Sequence, residues 1–161
     1  MKQSKESLKR ISLYLDDTRT PTDTIPGYHP WNIVRNYNEF TEWIVKNGIP
    51  DLISFDHDLA EEHVDDYFNQ LTNQGFQQPN YQLYKEKTGL DCANFIAEYC
   101  QKMKVDLKNC CVHSHNPVGA TNIQSFINGF KKHMGWTPDC FIMKHPFIIE
   151  EVKKPIKKKT K

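Results

Sequence analysis

The chain has 161 residues, 38% of them hydrophobic and 25% charged, with a net charge of +1 at neutral pH. That size suits one compact domain, since roughly 100 to 200 residues make one. The near-zero charge excludes a general attraction to nucleic acid, so any polyanion contact has to come from a local patch.

Residues 1–10 form a polar tail without an apolar period. The apolar run that follows is too short for a signal-peptide core or a membrane span, so a cytoplasmic protein without a membrane partner is expected. Five cysteines, an odd number with no Cys-x-x-Cys pair, argue for free thiols in a reducing compartment. Residues 11–15 read as a first strand that runs into Asp16 and Asp17. The link 18–30 contains Pro21, Pro26, Gly27 and Pro30, which makes it a loop where a crossover helix would be usual. Residues 31–34 form a second, weaker strand. Asn38 is the expected cap of a helix that buries Phe40, Trp43 and Ile44, and Gly48 stops it. Residues 51–55 form a third strand, which ends at Asp56, His57 and Asp58.

The stretch 59–88 is longer than a usual connection and reads as an inserted helical flap, with Val64, Tyr67, Phe68 and Leu71 at helical spacing. Thr88 and Asp91 form a capping-box pattern ahead of a helix expected to bury Ala93, Ile96, Tyr99, Cys100 and Met103. Residues 110–112 are a fourth strand, followed by His113, Ser114, His115 and Asn116. Ile123, Phe126, Ile127 and Phe130 mark another helix, and residues 140–143 a fifth strand. The tail 153–161 carries six lysines around Pro155 and suits only weak contact with a polyanion. The domain is therefore 11–152, an α/β unit whose strand and helix alternation predicts a parallel sheet with helices on both faces.

In such a sheet the three ionisable clusters meet at the carboxyl edge, where open α/β sheets bind their ligands. Asp16, Asp17, Asp56 and Asp58 would repel one another there, so a hard cation, Mg²⁺ or Mn²⁺, or shared protons are needed. His57 and His113 are candidate proton carriers for phosphodiester cleavage, because imidazole both accepts and donates near pH 7. His115 joins them as a candidate phosphate contact. Ser114, Asn116 and Thr121 surround a helix start whose free amides favour an anion, while Arg19 and Arg35 are candidate phosphate clamps.

Three motifs carry a resemblance. Leu15, Asp16, Asp17, Arg19 and Pro21, then Phe55 to Leu59, then His113 to Pro117 resemble the motifs of the cyclic-phosphate-processing receiver-like family, a relative of response-regulator receiver domains. The resemblance implies a receiver-like, flavodoxin-like fold, a doubly wound five-stranded parallel sheet of order 2-1-3-4-5. It places Asp56 at the receiver phosphoacceptor position, Ser114 at the fourth-strand hydroxyl and Lys144 near the lysine that follows the fifth strand. It also implies a phosphoesterase that processes cyclic phosphates at RNA ends or in small nucleotides. Two other readings stay open: a signalling receiver that accepts a phosphoryl group on Asp56, and a nucleotide-binding module without catalysis.

Overall fold

The computed structural model describes residues 10–21, 30–60 and 86–143. The N-terminal stretch 1–9, most of the expected flap (61–85), Lys144 and the lysine tail lie outside the described residues. Strands β1 (Ser12–Leu15), β2 (Trp31–Val34), β3 (Leu52–Phe55), β4 (Asn109–Val112) and β5 (Phe141–Ile142) form one sheet. All its pairings are parallel, and the order is β2-β1-β3-β4-β5, the receiver-like, flavodoxin-like arrangement.

Among the described residues three helices are complete: α1 (Tyr37–Asn47), α2 (Gly89–Met103) and α3 (Pro117–His133). The steps from β2 to β3, β3 to β4 and β4 to β5 all run the same way across the sheet. Right-handed crossovers therefore place all three helices on one face. These three helices cover that face. Leu13, Leu15, Ile53, Phe55, Cys110 and Val112 point toward it and form one core with Phe40, Ile44, Ile96, Cys100, Ile123 and Ile127. Burying a side chain such as Leu13 or Phe55 contributes about 1.5–3 kcal/mol, so this layer fixes the sheet beneath the site.

The caps explain where the helices begin. Asn36, not Asn38, starts α1: its Oδ1 accepts from the Glu39 amide at 2.9 Å, and Glu39 reaches back to the Arg35 amide at 2.8 Å. The two asparagines look alike in sequence, but only Asn36 has a glutamate three residues on to complete the exchange. Asp91 accepts from the Thr88 amide at 2.7 Å and its hydroxyl at 3.2 Å, which opens α2 as expected. Met103, expected in the core, is 53% exposed, because the last turn of α2 runs out past the sheet into the exposed residues that follow.

Candidate active site

The parallel ladder continues one residue beyond three strands. The amide of Asp16 donates to Val34 O at 3.2 Å, that of Asp56 to Leu15 O at 2.9 Å and that of His113 to Phe55 O at 2.9 Å. The row Leu15, Phe55 and Val112 is therefore followed by a row of Asp16, Asp56 and His113. Each of these lies two residues beyond Tyr14, Ser54 or Cys111, so all six side chains share the sheet face opposite α1, α2 and α3.

Asp16 is fully buried and organises the row. Its Oδ1 accepts from the amides of Thr18 (2.9 Å) and Arg19 (2.6 Å), and its Oδ2 from Arg19 Nε (2.7 Å), His113 Nε2 (3.1 Å) and the Tyr14 hydroxyl (3.4 Å). Burial alone would raise its pKa, but the bonds from His113, Arg19 and Thr18 together outweigh burial and hold it well below the ordinary carboxylate value. Asp56 has the opposite balance. Burial raises its pKa with help from Asp16, against the pull of Arg19, His113 and Ser114. Arg19 spans the two carboxylates, with Nη2 3.2 Å from Asp56 Oδ2. Asp17 stands beside them, half-buried, its pKa raised by burial and by Asp16.

His113 is 6% exposed, and both of its ring nitrogens are engaged. Nδ1 lies 2.6 Å from Ser54 Oγ, the ring stacks on Tyr14 at 4.3 Å, and Cys111 Sγ donates to Ser54 at 3.3 Å. Asp16 accepts from Nε2–H, and Ser54 Oγ, which accepts from Cys111, pairs with Nδ1. Ser54, His113 and Asp16 thus stand in the order of a hydrolase triad, but Ser54 is 0% exposed and no substrate reaches its hydroxyl. His57 is 1% exposed, with Nδ1 2.8 Å from Asp58 Oδ1, and its ring lies under the first turn of α3. The Asn116 amide group also reaches Asp58, at 3.4 Å.

The remaining expected residues divide between pocket and scaffold. Ser114 accepts from the Asn116 amide at 3.2 Å, and His115 is exposed beside it. Asn116 caps α3, its Oδ1 accepting from Gly119 N at 2.9 Å. The Thr121 hydroxyl donates to Pro117 O at 2.8 Å, so it is spent inside the helix. Arg35 turns its Nη1 to the backbone oxygens of Asp16 (3.0 Å) and Arg19 (2.7 Å), where it pins the loop that carries Arg19. Lys144 lies outside the described residues.

A family model described as a cyclic-phosphate processing receiver domain matches residues 11–129. The chain belongs to this family. Comparisons with curated proteins and with solved structures return no match.

A cyclic-phosphate-processing receiver with this acidic edge invites a divalent ion, and carboxylate oxygens of Asp16, Asp17 and Asp56 lie within 4.8 Å of one another. Asp58 stands apart from that group, committed to His57 and Asn116. Spacing fits a cation, but the donors do not. A carboxylate offers about four lone-pair positions, and those of Asp16 are filled by amides, guanidinium, imidazole and phenol. Asp56 already holds Arg19, the His57 amide and the Ser114 hydroxyl. Asp17 keeps the most open capacity, with the Thr18 hydroxyl at 3.5 Å, and such a carboxylate beside two largely occupied ones is a poor start for an ion that wants near-octahedral oxygen ligands.

Tyr14, Ser54 and Cys111 were not legible as site residues. Their signal was the strand period: each precedes a cluster residue by two, which puts it directly behind that residue on the same face. Gly89 and Gly119 were missed as well. A Cβ on Gly89 would lie 1.8 Å from the Asp56 carbonyl oxygen, and one on Gly119 2.3 Å from His57 Cγ, so both glycines let a helix press on the segment that carries the site.

Proposed function

We propose that the protein hydrolyses a cyclic phosphodiester, at an RNA end or in a small nucleotide, to a phosphomonoester. The observation that carries the reading is Arg19 spanning Asp16 and Asp56 at the carboxyl edge, beside Ser114 and the start of α3. A guanidinium fixed in this way faces a phosphate with its orientation already set. Its Nη1 has no partner among the described residues. The start of α3 adds the positive end of its dipole beside the phosphate's charge.

In the reaction, a water oxygen forms a bond to phosphorus, one ring P–O bond breaks, and the water's proton ends on the leaving alkoxide. One group that first accepts and then gives suffices, and Asp56 is the best placed. Neighbouring carboxylates with opposite shifts divide such work, Asp16 as the standing anion and Asp56 as the proton carrier. With both ring nitrogens of His113 engaged by Ser54 and Asp16, and His57 bound to Asp58, the two serve as positioning residues, one holding Asp16 and the other holding the segment between Asp56 and α3.

The test is turnover of a panel of 2′,3′-cyclic and 3′,5′-cyclic nucleotides and of RNAs ending in a cyclic phosphate. Asp56→Asn is expected to lower turnover about 10²- to 10⁴-fold, the usual weight of a general acid or base. Unchanged turnover in Asp56→Asn, or intact ligand recovered from a tight complex with the native protein, would overturn the reading. A hydroxylamine-sensitive adduct on Asp56 after incubation with a small phosphodonor would replace it with phosphoacceptor signalling.

A further inference from the structure

We propose that Arg19 occupies the place of a divalent cation, so that the charge presented to an anion at this edge belongs to the chain itself. The inference goes beyond the hydrolytic reading and does not depend on it. Three carboxylates brought within ligand distance of one another need a positive partner. The guanidinium supplies one, with Nε on Asp16 at 2.7 Å and Nη2 on Asp56 at 3.2 Å.

The backbone is built around that placement. Asp16 Oδ1 accepts the amides of Thr18 and Arg19 and folds the loop tightly back over its own carboxylate, as an aspartate-centred turn does. Arg35 closes the loop from the other side through the carbonyls of Asp16 and Arg19. His113 and Tyr14 take what remains of Asp16 Oδ2. A metal ion would have to displace the guanidinium from both carboxylates and the imidazole and phenol from one of them. Binding an ion there therefore means dismantling the loop. The planar fork of arginine matches paired carboxylates, and the compact ammonium of lysine does not.

Water-proton relaxation with Mn²⁺ alone as the probe tests this without any phosphate ester, so its failure is separate from failure of the hydrolytic reading. The native protein should show no saturable Mn²⁺ site at the edge. Arg19→Gln frees the carboxylates and should gain one site, at least about tenfold tighter than any signal from the native protein, the effect expected when a ligand's competing partner is changed. Adding Asp17→Asn to that variant should abolish the gain. Arg19→Lys is the second variant should the first fail to fold, and it should gain a weaker site, since one ammonium cannot span both carboxylates. Saturable Mn²⁺ binding to the native protein that Asp17→Asn removes would overturn the proposal, and so would a folded Arg19 variant that gains no site.

Discussion

Asp16 and Asp56 are side-by-side aspartates with opposite surroundings, and their pH behaviour separates them. The Asp16 carboxyl is held below its ordinary value of 3.8. Its stabilisation is thus fully present above about pH 4 and is lost as the pH falls further. Thermal unfolding from pH 6 down to pH 3 should show a falling acid limb for the native protein. Asp16→Asn should already be less stable at pH 7, by about 3 kcal/mol as for a broken buried pair, and its acid limb should be flatter. Asp56 has the reverse sign. Its carboxyl is held above the ordinary value, so its ionised form opposes folding at neutral pH. Asp56→Asn mimics the protonated carboxyl and should raise the melting temperature, by about 2–4 °C for each kcal/mol gained, while turnover falls. Gain of stability with loss of activity would mark Asp56 as a residue kept for chemistry.

At the scale of elements, the site depends on two helix starts pressing on the end of β3. The Gly89 amide donates to His57 O at 2.8 Å, which leaves no space for a side chain between α2 and the Asp56 carbonyl. Gly89→Ala has backbone in its way and should cost about 3 kcal/mol, the upper range for overpacking. Gly119→Ala meets the His57 ring first, which can turn at the expense of its bond to Asp58, so a smaller loss of about 1–2 kcal/mol is expected. Chemical denaturation of the two variants checks the order. If Gly89→Ala proves the milder, the close approach of α2 to β3 is wrong. Asn36→Ala should cost about 1 kcal/mol through its cap and leave turnover nearly unchanged, since the cap itself bonds only within residues 35 to 39.

Across the whole molecule, the five cysteines test how tightly the core closes. All are free and buried, and burial raises every one of the thiols, Cys100 and Cys111 to about 11 and Cys140 to about 12. The native protein should react with an aromatic disulfide reagent at pH 7 only as fast as it opens, and all five thiols should react at once in guanidinium. Fast labelling of Cys111 alone would show instead that the polar chain behind His113 is open to solvent.

Much of the fold is legible in the sequence. Short apolar runs that each end in charged residues, separated by segments of helical period, fix strand and helix identity locally, and the sheet order followed from the motifs in residues 11–129. Those same motifs named Asp16, Asp17, Arg19, Asp56, His57, His113 and Ser114, because an edge cluster is a run of neighbours in sequence. What each residue does was not readable. Burial and hydrogen-bond partners are properties of a place, and the partners of Asp16 come from residues 2 to 97 positions away. Tertiary structure alone decided that Arg19 fills the space between two carboxylates, that Arg35 and Thr121 bind backbone, and that His113 faces inward to a serine. Sequence determines which groups reach the edge through local patterning, and packing decides which of them retain free atoms for a ligand, because each buried donor takes up its acceptor first.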